Sequence, residues 1–156
     1  MLSMKTCFFM GHRDAPYQVE ACLRERVVQA ITQDGVTDFV VGLYGNFDRM
    51  AAQAVRMAKK QYPFVTLTLL RPYHPAQRPV PLPAGFDDSL YPPGLERVPP
   101  RLAIVRANRY RLEKADVLLL YSCHPGNTAS FLELARRRAQ TGALVVENLA
   151  EKRGGA

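Results

Sequence analysis

Lys5-Thr6-Cys7-Phe8-Phe9-Met10-Gly11-His12-Arg13-Asp14-Ala15-Pro16 is the stretch that decides the fold. Lys5–Met10 is a short β-rich run, and it breaks at a glycine-containing turn closed by a proline. Beyond the turn Val19, Cys22, Leu23, Val27, Ala30 and Ile31 recur at helical spacing, and Gly35 stands where a helix end favours glycine.

The same alternation continues downstream. Asp38–Leu43 reads as a second strand, and Phe47, Met50, Ala51, Ala54, Val55 and Ala58 as one face of a second helix after Tyr44-Gly45-Asn46. Val65–Leu70 reads as a third strand. A helix over Arg101–Ala115, a fourth strand over Val117–Tyr121, a loop over Ser122–Thr128, a helix from about Ala129 to Ala139 and a fifth strand over Ala143–Val146 follow. Strands that alternate with helices and are apolar almost throughout belong in a parallel sheet covered on both faces. The expected fold is α/β, a Rossmann-like three-layer sandwich with a mostly parallel five-stranded sheet in the order 3-2-1-4-5.

Residues 72–100 hold nine of the twelve prolines, a density that excludes a helix interior or a central strand. They read as an ordered or semi-ordered insertion in one domain spanning residues 1–150, with Glu151–Ala156 as a frayed tail. The chain of 156 residues, 47% hydrophobic and 22% charged, has the size of one domain and excludes disordered and fibrous classes. No apolar run reaches the roughly 18 residues of a membrane span. Met1-Leu2-Ser3-Met4-Lys5 lacks the organisation of a secretory signal, so a cytoplasmic location without membrane attachment is expected. Cys7, Cys22 and Cys123 form an odd set without metal-ligand spacing, which fits reduced thiols; no metal or cofactor is expected. Lys and Arg number 21 against 14 Asp and Glu, and the resulting charge of +7 favours phosphates, nucleotides or nucleic acid as partners.

In an open parallel sheet the ligand site lies beyond the carboxyl ends of the strands where their order reverses, here between the first and fourth strands. The loops that meet there are Gly11–Pro16, Tyr44–Asp48 and Ser122–Thr128. Gly11, Gly45 and Gly126 let an anion approach backbone amides at a helix start. Asn46, Asn127 and Thr128 either help to bind that anion or merely cap their helices. His12 and Arg13 offer a donor and a fixed cation, or form a solvated turn. Asp48 either accepts from ligand hydroxyls or complements its helix dipole. Asn108 lies on the stripe Ile104, Val105, Leu112 and Ala115, a face expected to be buried, and Arg109 flanks it. Glu133 is a candidate acid or base, or a surface carboxylate paired with Arg136 or Arg137. Cys123-His124 beside His12 suggests a nucleophile or metal set, but no third ligand has diagnostic spacing. Arg136-Arg137-Arg138 reads as a solvated helix end.

Thr6-Cys7-Phe8-Phe9-Met10-Gly11-His12-Arg13 resembles the opening strand and Gly-His-Arg turn of the YpsA-like proteins in the SLOG superfamily, which also includes the DprA and LONELY GUY proteins. Gly42-Leu43-Tyr44-Gly45-Asn46-Phe47-Asp48 is similar to the family's glycine-rich segment ending in Asp. Asn108-Arg109-Tyr110 followed by Ala115-Asp116-Val117-Leu118-Leu119 is similar to its helix-then-strand block, and Gly126-Asn127-Thr128 stands where Gly-Gly-Thr is usual. Tyr91–Arg101 resembles an insertion of a bacterial subgroup.

The resemblance implies a nucleotide or nucleotide-derived ligand held by Gly11, His12, Arg13, Gly45, Asn46, Asp48, Asn108, Arg109, Gly126, Asn127 and Thr128, in a sensor or accessory protein. The LONELY GUY branch hydrolyses the N-glycosidic bond of nucleoside monophosphates with a Pro-Gly-Gly-x-Gly-Thr-x-x-Glu segment. Pro125, Gly126 and Glu133 match it, while Asn127, Ala129 and Ser130 replace Gly, Gly and Thr. An enzyme of that kind would use Glu133 as acid or base and Arg109 to orient phosphate. A third expectation, single-stranded nucleic-acid binding as in the DprA branch, draws on the positive charge. Arg-rich helical faces leave a homo-oligomer open.

Overall fold

The computed structural model describes residues 4–43, 45–74, 76–78 and 81–154, with the side chains of residues 127 and 152–154 outside the description. The elements are β1 (Lys5–Gly11), α1 (Val19–Thr32), β2 (Val36–Val41), α2 (Asn46–Lys59), β3 (Thr66–Leu70), β4 (Asp88–Leu90), α3 (Ala103–Lys114), β5 (Val117–Tyr121), α4 (Asn127–Ala139), β6 (Val145–Asn148) and α5 (Leu149–Gly154). Single turns of 3₁₀ helix at Leu95–Arg97 and Pro100–Leu102 lead into α3.

The described strands form one six-stranded sheet in the order β4-β3-β2-β1-β5-β6, and every pairing is parallel. Alternation along β1 divides the core. Cys7 and Phe9 join Leu23, Val27, Phe39, Phe47 and Leu67 under α1 and α2, whereas Phe8 and Met10 join Val40, Leu112, Leu118, Leu120 and Phe131 under α3 and α4. Burying both faces explains why the strands lack polar alternation. It also pushes the Cys7 thiol far above its ordinary range, opposed in part by the charge of Arg26.

The Rossmann-like α/β class is as expected, but the sheet has six strands and is wholly parallel, not five and mostly parallel. The added strand, β4, lies inside the proline-rich insertion. It is three residues long, too short to show alternation, and it pairs at the sheet edge where prolines on either side do no harm. Backbone bonds on both sides fasten it, from Asp87 N–H to the Leu67 carbonyl (2.9 Å) and from Arg71 N–H to the Leu90 carbonyl (2.7 Å).

Other boundaries move as well. β2 ends at Val41, so Gly42 and Leu43 belong to the following loop, and β6 lies two residues later than expected. α4 begins at Asn127. The expected frayed tail starts inside α5, because Leu149 is fully buried and Asn148 Oδ1 accepts the Ala150 N–H (3.1 Å). On α3 the buried positions are Ala103, Ala107, Arg111 and Leu112, and Val105, expected on the buried stripe, is exposed. The helix is thus turned so that a guanidinium occupies part of its inner face.

Candidate functional site

The order of strands reverses between β1 and β5. Their pairing sets Gly11 opposite Tyr121, so the loops that leave both strands emerge side by side. Between these loops, the start of α2 and the inner face of α3 lies a cleft of about 370 Å³. Its polar wall includes His12, Arg13, Asp14, Asp48, Asn108 and Thr128, and its apolar wall includes Met10, Leu70, Pro72, Ile104, Ala107 and Phe131.

Two helices begin near this cleft, each after a glycine. α2 starts after Gly45 (φ 113°) and α4 after Gly126 (φ 146°), and neither has a side-chain cap. Both glycines hold backbone angles that side-chain-bearing residues rarely adopt. Capping by Asn46, one of the two readings open for it, does not occur. The Asn46 N–H donates instead to the Arg13 carbonyl (2.9 Å), and its side-chain amide reaches the Ala15 carbonyl (3.5 Å). Asn46 and Gly45 therefore brace the β1–α1 turn from behind, and a Cβ on Gly45 would collide with the Arg13 backbone. At Gly126 a Cβ would meet nothing within 4 Å, so this helix start is open. Gly11 differs from both, since a Cβ there would overlap the buried Phe47 ring.

His12 is buried at 7% exposure and held on several sides. Its Nε2 accepts the Cys123 N–H (3.0 Å), its ring meets Tyr121 edge-on, and its face stacks on His124 with centroids 3.6 Å apart and planes 10° from parallel. Burial, with the neighbouring charge of His124, lowers the His12 pKa, while Asp14 works in the opposite direction. His124 Nε2 lies 3.7 Å from Asp14 Oδ1.

Of the residues expected from sequence, Gly11, His12, Arg13, Asp48, Asn108, Gly126 and Thr128 line the cleft. Gly45 and Asn46 stand behind it. Tyr44 and the Asn127 side chain lie outside the described residues. Arg109 points outward, is 59% exposed and faces Glu113 (3.5 Å). Glu133, 73% exposed, pairs with Arg137 (3.2 Å). The structure thus does not bring Arg109 and Glu133 to the cleft. Asp14 and His124 also line the cleft, two contacts that the sequence does not single out for a ligand although both sit in the loops that meet there. The signal for His124 was the neighbouring of the first and fourth strands. That neighbouring produces a stack, and among the described residues no group of three or more His, Cys, Asp and Glu is placed to hold a metal ion. No helix among them is long and apolar enough to cross a membrane.

No protein-family model matches the chain, and no curated protein matches it significantly. Among solved structures the chain is similar to DNA processing protein A (DprA) from Streptococcus pneumoniae, with a TM-score of 0.60 and 14% sequence identity. The match covers 96% of this chain and 60% of that one. At this identity the likeness shows the fold, a Rossmann-like arrangement shared with DprA.

Proposed function

We infer that this chain binds a nucleotide or nucleotide-derived ligand in the β1/β5 cleft and serves as a sensor or accessory protein of the YpsA-like kind. The observation that carries this reading is the start of α4 at Gly126, which has no side-chain cap, faces open space and lines the cleft together with Thr128 and Arg13. Uncapped amides at a helix start, with its partial positive charge, favour a phosphate. Arg13 adds a cation beside them, and the apolar wall of Met10, Ile104, Ala107 and Phe131 suits a flat base. A volume of about 370 Å³ is within the range of small-molecule sites.

The test is a thermal-shift screen with nucleotides, cyclic nucleotides, ADP-ribose and NAD, each stabilising compound then being incubated and examined for released base. A ligand recovered intact supports the sensor reading. Release of base and phosphoribose moves the chain to N-glycosidic hydrolysis, and release that persists unchanged in Glu133→Ala removes Glu133 from it. Silence across the panel overturns the reading.

A second reading, binding of single-stranded nucleic acid, is supported by the likeness to a DNA-processing protein and by the exposed Arg97, Arg101, Arg106 and Arg109 along α3 and the turns before it. It requires an affinity for single-stranded DNA that falls steeply with salt.

A further inference from the structure

We propose that the proline-rich insertion builds a second subsite beside the cleft, which takes the distal ring of a ligand made of two nucleosides joined through phosphates. The proposal deepens the nucleotide reading and rests on it. A side cavity of about 290 Å³ opens beyond the carboxyl ends of β2 and β3, and its walls include Leu43, Leu70, Pro72, Tyr73 and Arg78. Leu70 and Pro72 also line the cleft, and Gly42 of the cleft precedes Leu43 of the side cavity, so the two spaces adjoin along the edge of the sheet. Ligand sites usually measure roughly 300–1,000 Å³. The cleft lies near the lower end of that range and the side cavity just below it, whereas the two together reach its middle. Leu43, a large apolar side chain left 44% exposed, belongs to the wall of the added space.

The insertion fixes an aromatic ring and a cation there with its own bonds. After Tyr73 the chain turns back, because the N–H groups of Gln77 and Arg78 both donate to the His74 carbonyl (2.9 and 3.0 Å). That turn lays the Arg78 guanidinium over the Tyr73 ring, 4.1 Å from its centroid. The ring is anchored at its far end, where its hydroxyl donates to the Pro100 carbonyl (3.3 Å) in the 3₁₀ turn before α3. Tyr73 and Pro100 stand at opposite ends of the insertion, so this bond closes it beside the cleft. An edge-on contact between His74 and Tyr91, with centroids 5.3 Å apart, ties the same turn to the strand side of the insertion. Aromatic rings and guanidinium planes both stack on nucleobases. A ligand whose first phosphate meets Arg13 would lay its second nucleoside against Leu43 and the Tyr73–Arg78 pair, whereas a mononucleotide would leave that space empty.

The experiment is calorimetric titration of adenosine 5′-monophosphate, adenosine 5′-diphosphate and NAD into the wild type, Tyr73→Ala, Tyr73→Phe and Arg78→Ala. The diphosphate adds a second phosphate alone, and NAD adds the second nucleoside as well. Tyr73→Ala should weaken NAD by about 5-fold or more, the lower end of the loss of one stacking surface, and leave the other two ligands unchanged. Tyr73→Phe, which keeps the ring, should retain the affinity for NAD, and Arg78→Ala should weaken NAD more than the monophosphate. No loss for NAD in Tyr73→Ala, or an equal loss for either smaller ligand, overturns the proposal and leaves nucleotide binding standing. Absence of binding by all three ligands removes both. Circular dichroism verifies the fold of each variant, and should Tyr73→Ala not fold, Arg78→Ala, at an exposed position, decides by the same comparison.

Discussion

Gly11 at the end of β1 packs against Phe47 in the first turn of α2 so closely that no side chain fits between them. Phe47 is fully buried and has no room to retreat. Gly11 is therefore fixed by packing, whereas Gly126 is fixed by its backbone angle and faces open space. Gly11→Ala should destabilise the fold by about 1–3 kcal/mol through overpacking, and Phe47→Leu in the same chain should recover part of that loss. Gly126→Ala should lose about 1–3 kcal/mol through strain alone, additively with Phe47→Leu. Urea denaturation of the single and double variants measures both. Additivity for Gly11→Ala would contradict the packing assignment.

Burial, with the charge of His124, lowers the His12 pKa in the fold. A base with a depressed folded pKa is charged in the unfolded chain before it is charged in the native one. Its contribution to stability is present above the unfolded value, near 6.5, and is lost as pH falls through the folded value. The unfolding free energy should therefore decline from pH 7.5 towards pH 5 more steeply in the wild type than in His12→Asn. Parallel profiles for the two proteins would show that the ring is not held neutral.

The class of fold was legible because its strands declare themselves. Phe8-Phe9-Met10 and Leu118-Leu119-Leu120 are apolar on both faces, a pattern suited to a parallel sheet with helices on either side. Asp88-Ser89-Leu90 declares nothing, since its pairing depends on the backbone of β3 and on Asp87, whose side chain accepts the Leu67 N–H (2.8 Å) and pairs with Lys59. The site was legible in part for a related reason. Glycines mark the end of β1 and the start of α4, but only the register that sets Gly11 against Tyr121 brings His12 under His124. On α3 and α4, helical phase decided the rest. Asn108 faces the cleft, while Arg109 and Glu133 are turned to solvent and to partners one turn away.

Asp87 supplies a test of the edge strand. Its carboxylate holds both the Leu67 N–H and Lys59, and these contacts lower its pKa against the opposing effect of burial. Asp87→Ala should release β4 from β3, at a cost of about 1 kcal/mol for the lost hydrogen bond of a partly exposed group. Amide exchange should then quicken at Arg71 and Asp87 and remain slow in β1 and β5. Unchanged protection at Arg71 would show that β4 is held without Asp87.

Arg111 is the one residue on the inner face of α3 that contradicts its surroundings. It is 8% exposed, and neither Nε nor Nη2 finds a hydrogen-bond partner among the described residues. Burial lowers its pKa, opposed by the charges of Asp38, Tyr110 and Asp116. These carboxylates have partners of their own in Thr66, Thr68 and the Thr6 N–H. Arg111→Met keeps the volume and removes the buried charge, so it should raise stability by about 1–3 kcal/mol. A loss of stability would reveal an ion pair too strong to replace.

The cleft predicts a division among residues that sequence grouped together. Arg13 and Asn108 line it, whereas Arg109 and Glu133 face solvent at 59% and 73% exposure. Arg13→Ala should weaken a phosphate-bearing ligand by about 1–3 kcal/mol, the range of a charge-assisted contact. Asn108→Ala should weaken it by about 1 kcal/mol. Arg109→Ala and Glu133→Ala each break only an exposed pair four residues apart on a helix, so stability should change by at most about 0.5 kcal/mol and ligand affinity not at all. Titration of the four variants with one nucleotide separates the cases. A large loss in Arg109→Ala or Glu133→Ala would mean that the ligand lies across the outer face of α3 or α4 and that the β1/β5 cleft is not where it binds.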